Sequence, residues 1–259
     1  MPDFKIATFN ANSIRTRLPQ ILDWLTREHS DVLCIQETKV QNSDFPAQPI
    51  EEQGYHVVFQ GQKSYAGVAI ISKHPLTDVA AGFDDGSDAP RLLRGTYRNI
   101  TIINTYVPQG REPESEHFQY KLQWFARLKA LLQQHYAPEQ HLVWVGDFNV
   151  ATEDIDVYDP KGLRGHVDFH PDAQVALENV RQWGFVDVFR KHHPNEAGQY
   201  SYWDYRARNA IDRGIGWRID HIWATEVLAN QSIHAWIDVE ARKIQRPSDH
   251  TFVVAEFAL

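Results

Sequence analysis

The chain has 259 residues, of which 42% are hydrophobic and 23% are charged, and its formal net charge is −8. No Gly/Ser- or Pro-rich linker interrupts the pattern, so we expect one domain over residues 1–259. The negative charge argues against a protein held on nucleic acid by bulk positive charge, although it leaves room for a nucleic-acid enzyme. The only cysteine, Cys34, has no disulfide partner, which favours a reducing compartment. The sequence contains neither an apolar run of 18 residues nor a signal-peptide pattern. These three observations together predict a cytoplasmic protein.

The predicted elements alternate apolar strands with amphipathic helices. A strand at Lys5–Asn10 is followed by a helix whose apolar residues, Leu18, Ile21, Leu22 and Leu25, have i, i+3, i+4, i+7 spacing. Further strands are predicted at Asp31–Gln36, Tyr55–Phe59, Val68–Ser72, Leu92–Tyr97, Ile100–Tyr106 and His141–Gly146. Helices over Glu114–Gln134 and Asp172–Trp183 precede three closing strands, near Arg218–Trp223, Ile233–Val239 and Thr251–Phe257.

Many strands with only a few helices favour two sheets packed face to face and covered by helices. A TIM barrel would need eight regular strand–helix units. A Rossmann domain would need a glycine fingerprint after the first strand, where this chain has Thr8-Phe9-Asn10-Ala11-Asn12. The sequence therefore indicates neither of these two folds.

The segment Leu142–Asn149 carries the most informative motif, an apolar run that ends in Gly146-Asp147-Phe148-Asn149. Asp147 and Asn149 lie two positions apart, so in an extended segment they project to the same side at the strand's C-terminal end. A carboxylate beside an amide can hold a cation or accept a proton from water. An ordinary turn, whose side chains bond their own backbone, is the alternative interpretation.

Other predicted strand ends also carry polar side chains without an evident packing reason. They contribute Asn10, Asn12, Glu37, Tyr106, Asp220, Asp249 and His250. Turn residues, a helix cap or a buried aromatic hydroxyl would account for each of them separately. Asp220 is harder to explain in that way, because a lone carboxylate inside an apolar strand is costly unless it is paired.

The chemistry of these groups is mutually consistent. Oxygen ligands that suit Mg²⁺ or Mn²⁺ rather than zinc are offered by Glu37, Asn10, Asn12 and Asp249. Asp220 can hold an imidazole such as His250 in one tautomer and raise its pKa, so that a protonated His250 stabilises a phosphate oxygen. Asp147 can take the proton of an attacking water that Asn149 positions. The set supports in-line displacement at phosphorus with a metal Lewis acid.

Seven segments, in order along essentially the whole chain, resemble the exonuclease III family of abasic-site endonucleases, within the superfamily that includes pancreatic DNase I. They are Phe9–Arg15, Gln36–Lys39, Tyr65–Val68, Tyr106–Pro108, Gly146–Asn149, Gly216–Asp220 and Ser248–His250. Two segments, Asp159–Gly162 and Gly216–Arg218, look closer to the human-type branch of that family. The resemblance implies an α/β fold, a four-layer α-β-β-α sandwich of two packed mixed sheets flanked by helices.

The resemblance also implies a divalent-metal enzyme that cuts double-stranded DNA 5′ to a baseless sugar and leaves a 3′-hydroxyl. Mg²⁺ is the expected cofactor, with Mn²⁺ as a substitute. The expected partners are DNA molecules with abasic sites or blocked 3′ ends. The resemblance further implies 3′-5′ exonuclease activity and a monomeric protein. Carried over by position, the metal ligands are Glu37, Asn10, Asn12, Asp147, Asn149, Asp249 and His250. The catalytic residues are Asp147, Asn149, His250, Asp220 and Tyr106, with Asp147 favoured over His250 as the base.

Three residues fall where the family builds a small apolar pocket, namely Tyr202, Trp217 and Ile219. A flipped-out sugar without a base fits such a slot, and flipping costs least at a lesion that has already lost stacking. Residues at positions suited to DNA contact are Arg15, Lys39, Lys63, Tyr65, Gln109, Arg111, Asp168 and Arg206. Core packing for Trp217 and solvated surface positions for the DNA-contact set are the alternatives.

This chain departs from the human-type pattern at three positions: Asn12 replaces an aspartate, Gln109 an asparagine, and Arg206 an apolar side chain that wedges into the groove. Two other functions are alternatives to this one. A phosphoesterase of the same superfamily can act mainly on 3′ ends, RNA or a phosphoinositide. A non-catalytic DNA-binding module would have lost metal or phosphate residues, whereas Glu37, Asp147 and His250 are all present.

Overall fold

In the computed structural model, which describes residues 2–259, the strands form two six-stranded sheets. The strands are β1 (Phe4–Asn10), β2 (Val32–Gln36), β3 (His56–Gly61), β4 (Gly67–Ser72), β5 (Thr77–Ala81), β6 (Leu92–Tyr97), β7 (Ile100–Tyr106), β8 (Leu142–Asp147), β9 (Phe185–Asp187), β10 (Asp220–Thr225), β11 (Ser232–Asp238) and β12 (Phe252–Phe257). The helices are α1 (Ile14–Glu28), α2 (Ala47–Glu51), α3 (Glu116–His135), α4 (Pro171–Arg181), α5 (Val188–His192) and α6 (Glu226–Ala229). None of the helices described over residues 2–259 combines the length and apolar character needed to cross a bilayer.

Each sheet is mixed and contains one parallel pair at its centre. The first sheet has the order β11-β12-β1-β2-β4-β3, and the second has the order β5-β6-β7-β8-β10-β9. Strands β1 and β2 run parallel, as do β7 and β8, while the other neighbours run antiparallel. Parallel neighbours need a long crossover connection, which α1 and α3 provide. The C-terminal ends of these four central strands are therefore free of tight hairpins.

Three apolar clusters hold four layers together. One lies between the sheets and includes Cys34, Ile102 and Val145, all fully buried. A second packs α1 on the first sheet, and a third packs α3 and α4 on the second sheet. Fully burying one Leu- or Val-sized side chain contributes about 2 kcal/mol, so these clusters are the main source of stability. The predicted four-layer α-β-β-α sandwich is confirmed.

Helix ends differ slightly from the prediction because local caps set them. Helix α3 begins two residues later than predicted, since the Ser115 hydroxyl accepts a hydrogen bond from the Phe118 N–H at 3.1 Å and caps the helix. Helix α4 begins one residue earlier, because Pro171 occupies its first position and the His170 ring accepts from the Asp172 N–H. The ends of the predicted strands agree with the structure to within two residues.

Several short elements were not predicted, and one predicted strand is displaced. Strands β5 and β9 lie at the edges of the second sheet, where exposure or a length of three residues weakens the alternating pattern. The strand predicted from Arg218 begins at Asp220, because the Arg218 backbone N–H donates to the Asp156 carbonyl at 2.8 Å, and its guanidinium pairs with the Asp156 carboxylate at 2.7 Å. Helices α2, α5 and α6 are too short for a period to show.

Buried Asn104, which belongs to one of the polar strand ends, is structural. Its amide nitrogen donates to the carbonyl oxygens of Ile35 and Ala69 at 3.0 and 2.9 Å, and its oxygen accepts from Gln36 at 2.7 Å. Asn104 thereby ties the second sheet to the first. A buried amide with such partners fixes the relative position of the sheets, which the site depends on.

Candidate active site

The strand register puts the predicted site residues at one end of both sheets. Asn10 ends β1, and Glu37 directly follows the neighbouring parallel strand β2. In the second sheet, Asp147 ends β8, with Tyr106 of β7 opposite it on one side and Asp220 of β10 on the other. The Asn10 amide nitrogen donates to Glu37 Oε1 and to Asp147 Oδ2, each at 2.8 Å. It joins the carboxylates of the two sheets.

In this arrangement Asn10 and Asn12 act as hydrogen-bond donors to carboxylates, whereas the sequence predicted that their oxygens are metal ligands. The Asn10 oxygen accepts from the Asn12 backbone N–H at 3.0 Å, so its amide nitrogen faces the carboxylates. The Asn12 amide nitrogen donates to Asp249 Oδ1 at 2.9 Å, and its oxygen accepts from the Lys39 ammonium. Both side chains orient acidic groups through their donors, which sequence reasoning did not anticipate.

The backbone at two site residues lies in the left-handed region, with φ of 50° at Glu37 and 51° at Asn149. Non-glycine residues seldom adopt this conformation, and where they do the surroundings must hold it. The Glu37 carbonyl accepts from the Ser13 N–H at 2.9 Å. Gly67 passes so close to the same turn that a Cβ there would lie 1.9 Å from Thr38 Oγ1. Only glycine permits this approach, which fixes the direction of Glu37.

A buried hydrogen-bond chain orients His250. Its Nδ1 lies 2.8 Å from Asp220 Oδ2, and the same oxygen accepts from the Ser201 hydroxyl at 2.7 Å. The Ser201 oxygen in turn accepts from the Asp220 backbone N–H at 3.1 Å. With Nδ1 committed to a carboxylate, Nε2 is left 3.9 Å from Asp147 Oδ2. Ser201 was missed by sequence reasoning, because a lone serine in a loop carries no signal.

Burial and neighbouring charges perturb three of the groups. Burial lowers the pKa of His250, but the Asp220 carboxylate, helped by Asp147, outweighs it and raises the pKa to about 10. Burial raises the pKa of the Asp147 carboxyl well above its ordinary value, with Asp220 and Glu37 adding to the rise against His250. Burial, together with Glu37 and Asp147, also raises the pKa of the Tyr106 phenol. At neutral pH, His250 is an imidazolium and Tyr106 keeps its proton.

Glu37, Asp147 and His250 form a group that can hold a metal ion. One ligand atom from each lies within 4.8 Å of the others. Lys39 Nζ lies 2.7 Å from Glu37 Oε2, so these oxygens already attract a cationic group. A donor set dominated by carboxylate oxygens suits a hard divalent cation. The residues present therefore fit such an ion.

A cavity of about 440 Å³ opens beside these groups. The three predicted pocket residues, Tyr202, Trp217 and Ile219, line it together with His250 and Asp147. Tyr202 forms isolated β-bridges with both Trp217 and His250, and its ring centroid lies 4.8 Å from that of the His250 imidazole, so the slot adjoins the imidazole. Trp217 and Ile219 belong to a small apolar cluster that is separate from the main core.

The predicted DNA-contact residues divide into two groups. Gln109, Arg111, Asp168 and Arg206 line the cavity, and Lys39 contacts Glu37 at its edge. Arg15, Lys63 and Tyr65 are exposed at the surface and do not line the cavity, with Tyr65 75% exposed. The Gln109 amide nitrogen donates to both Asp168 oxygens, at 3.0 and 3.3 Å, and the Arg206 guanidinium pairs with Asp204.

Two further residues of the cavity, and one behind it, were missed by sequence reasoning. His166 lies with its ring 4.9 Å from the Trp217 ring, and Asp204 holds Arg206. Lys121 lies behind the cavity and is fully buried. The available signal for Lys121 was a charged residue inside the apolar stripe of the predicted helix, three residues after Phe118.

Two packed mixed sheets with an acidic, metal-fitting cavity at one end are the architecture of a phosphoesterase sandwich. A family model for the endonuclease/exonuclease/phosphatase family matches residues 7–250, so the chain belongs to that family. The family is metal-dependent, as the carboxylate group of this site leads one to expect.

Individual relatives narrow the comparison. The chain is 32% identical to exodeoxyribonuclease III of Haemophilus influenzae, over 98% of this chain and 99% of the relative. A structure of an AP endonuclease from Archaeoglobus fulgidus superposes with a TM-score of 0.97 at 48% identity, covering 99% of this chain and 100% of the other. A 3′ phosphatase from Neisseria, bound to a product DNA hairpin, superposes with a TM-score of 0.92 at 36% identity and covers 99% and 100% of the two chains. The resemblance to the exonuclease III family is confirmed.

Proposed function

We propose that this protein is a metal-dependent DNA repair phosphodiesterase that hydrolyses the backbone 5′ to an abasic site and leaves a 3′-hydroxyl. One observation carries the proposal: Glu37, Asp147 and His250 surround a cavity whose adjoining wall is the apolar slot of Trp217 and Ile219. A phosphate-handling centre beside a slot that accepts a sugar without its base matches an abasic lesion.

Asp147 takes the proton of the attacking water in this proposal. Burial raises the pKa of the Asp147 carboxyl, which makes its carboxylate a stronger base. Asp147 Oδ1 is fixed by the Asn149 N–H at 2.9 Å, and the Asn149 amide nitrogen donates to the Val107 carbonyl at 2.9 Å. The oxygen of that amide is then the end available to orient the water. The water oxygen bonds to phosphorus while the bond to the upstream 3′ oxygen breaks. That oxygen leaves as an oxyanion, which takes a proton from solvent water to become the 3′-hydroxyl.

His250 and Tyr106 supply hydrogen bonds to the phosphate. The pKa of His250, about 10, keeps a proton on Nε2 at neutral pH, so the imidazolium donates to a non-bridging oxygen. The Tyr106 phenol donates in the same way, because its raised pKa keeps it neutral. Donors that are fixed before the substrate arrives stabilise the charge of the transition state without reorganisation.

Mg²⁺ is the proposed cofactor, with Mn²⁺ as a substitute. Glu37 is the principal ligand, and Asp147 and Asp249 offer further carboxylate oxygens. A bound ion acts as a Lewis acid on the phosphate. A protonated His250 has no lone pair to offer, so we assign it to the phosphate and not to the metal, unlike the ligand set carried over by resemblance.

The substrate assignment rests on the apolar slot. Trp217 is 9% exposed and Ile219 is 3% exposed, so the slot offers only a small apolar surface within an otherwise polar cavity. An intact nucleotide needs room for its base, whereas a baseless sugar can be flipped in at a small unstacking cost. Cavity residues Gln109, Arg111 and Arg206 then lie where the flanking strand passes.

Trimming of blocked 3′ ends and 3′-5′ exonuclease action are proposed second activities of the same site. The Asp168 carboxylate stands in the cavity wall, held by Gln109, and a chain end enters a narrowed cavity more easily than a continuous duplex. We further propose that the chain works as one domain and as a monomer, in the cytoplasm.

A side-by-side assay tests these assignments. One preparation is given an abasic duplex, a recessed 3′ end, a 3′-phosphate end, an RNA tail and a soluble phosphoinositide, each with Mg²⁺. The proposal expects the abasic duplex or the blocked 3′ ends to be hydrolysed fastest. Faster hydrolysis of the RNA or the phosphoinositide would overturn the substrate assignment while leaving the phosphoesterase chemistry intact.

A further inference from the structure

Lys121 of α3 is a fully buried lysine behind the cavity, with 0% exposure. Its ammonium donates to the carbonyl oxygens of Gln109 at 3.1 Å, Asn149 at 2.7 Å and Val167 at 3.0 Å. Asp168 Oδ1 lies 3.4 Å away and balances the charge. An ammonium has three N–H bonds, and three backbone carbonyls use all of them.

The three carbonyls belong to segments that are far apart in sequence, 12, 28 and 46 residues from the lysine. Each segment supplies a wall of the cavity, through Gln109, Asn149 and Asp168. The Lys121 ammonium therefore fixes the cavity wall that contains Asn149, which orients the water, relative to the wall that contains Asp168, which borders the slot. All three carbonyls lie outside the helices and strands. The loops are also joined in pairs, by the Ala151 N–H to the Asp168 carbonyl at 2.7 Å and by the Asn149 amide to the Val107 carbonyl at 2.9 Å, but Lys121 contacts all three at one atom.

A merely structural lysine is a poor explanation for this arrangement. Lysine is almost never fully buried without a partner, and an apolar side chain would fill the same core position without a desolvation cost. Burial lowers the pKa of Lys121, and the Asp168 carboxylate opposes that decrease. An apolar side chain cannot reproduce the hydrogen bonds that the Lys121 ammonium donates to three loops at once.

We infer that Lys121 is a positioning residue that sets the distance between the water held by Asn149 and the sugar slot bordered by Asp168. It acts through the loops and does not touch the substrate. Displacement of a reacting group by about 1 Å can cost on the order of a hundredfold in rate. Loss of the three hydrogen bonds from Lys121 should therefore lower turnover and leave the affinity for DNA unchanged. The inference rests on the proposed phosphodiester hydrolysis.

The test compares Lys121→Met with Lys121→Arg and with Lys129→Met. Lys129 lies two turns further along α3 and is only half-buried, so it controls for the loss of a lysine from the helix. On an abasic duplex, Lys121→Met should lower kcat roughly 10- to 100-fold, with KM and the Kd for DNA within about threefold of the unchanged protein. Lys121→Arg keeps several donors and should recover much of kcat, and Lys129→Met should behave as the unchanged protein.

Urea unfolding of each variant identifies the folded ones. If Lys121→Met does not fold, the double variant Lys121→Met/Asp168→Asn removes the unpaired buried charge and takes its place, with the same expected loss of kcat. A folded Lys121 variant with kcat within threefold of the unchanged protein overturns the inference, as does an equal loss for Lys129→Met. If the unchanged protein cuts only 3′ ends, the same comparison is made on those ends, so failure of the abasic assignment is recognised separately.

Discussion

Substitution Asp220→Asn removes a charge from beneath His250 while preserving the geometry of the pair. Asp220 Oδ2 accepts from His250 Nδ1 at 2.8 Å and from Ser201 at 2.7 Å, whereas Oδ1 has no partner. The oxygen of the new amide can take the place of Oδ2, and its nitrogen then falls at the unpartnered position. The variant is therefore a test of charge and not of shape.

The structure sets the size of the expected effect. Each pKa unit corresponds to about 1.4 kcal/mol, so the rise in the pKa of His250 from 6.5 to about 10 represents on the order of 5 kcal/mol in favour of the imidazolium. Asp220 contributes most of this stabilisation. Without it, the pKa of His250 falls, because burial is then opposed only by Asp147 and Asp249, and a neutral donor stabilises the phosphate charge less. We expect the rate of the chemical step to fall about 100- to 1,000-fold.

The assay is single-turnover cleavage of a duplex with one abasic analogue at saturating Mg²⁺. The Kd for DNA should change by less than about threefold, because the lost stabilisation belongs to the transition state. Ser201→Ala keeps the charge and removes the hydroxyl that donates to Asp220 Oδ2 and accepts from the Asp220 N–H, so it is the matched control and should cost about tenfold or less. A folded Asp220→Asn variant that cleaves within threefold of the unchanged protein would refute the reasoning.

Three other predictions follow from the same structure. Glu37→Gln weakens the metal group, so the Mg²⁺ concentration for half-maximal rate should rise at least about tenfold; an unchanged titration would count against Glu37 as the principal ligand. Trp217→Ala opens the slot and should reduce abasic cleavage about tenfold more than exonuclease action on a paired 3′ end, whereas equal losses would remove the slot from substrate selection. Burial alone would raise the pKa of Asp156 and Asp187, but Arg218 outweighs it and lowers both. The stabilisation that these two carboxylates give is therefore complete above about pH 5, and it is lost as the pH falls and the carboxyls of the unfolded chain protonate. In Arg218→Met the free energy of unfolding in urea should therefore decrease less between pH 5 and pH 3 than in the unchanged protein. Parallel curves of this free energy against pH for the two proteins would contradict the prediction.

The architecture and most of the site were predictable because the strand ends carry the chemistry. Asp147 and Glu37 each follow a buried run in the sequence, and central parallel strands bring such ends to one edge of a sheet. The same pattern identified Asp220, since an acid in an apolar strand demands a partner. The family follows from the order of these short motifs, and the comparisons confirm it.

The rest depends on contacts between distant segments, which a single sequence does not display. Ser201 meets Asp220 across 19 residues, and Lys121 meets Val167 across 46. The donor role of Asn10 requires knowing that carboxylates from both sheets converge on it. Strand β9 escaped prediction for a related reason, since three residues become a strand only when β10 offers its edge.

Incision of an abasic duplex by the unchanged protein and by Asp147→Asn is the most direct test of the central claim, that carboxylates from the two sheets form one phosphodiester-hydrolysing centre. With Mg²⁺, the unchanged protein should cut once, immediately 5′ to the lesion, and leave an end that a polymerase extends; EDTA or Asp147→Asn should abolish cutting while DNA binding by the variant persists. An intact strand, or cutting that survives both treatments, would contradict the account.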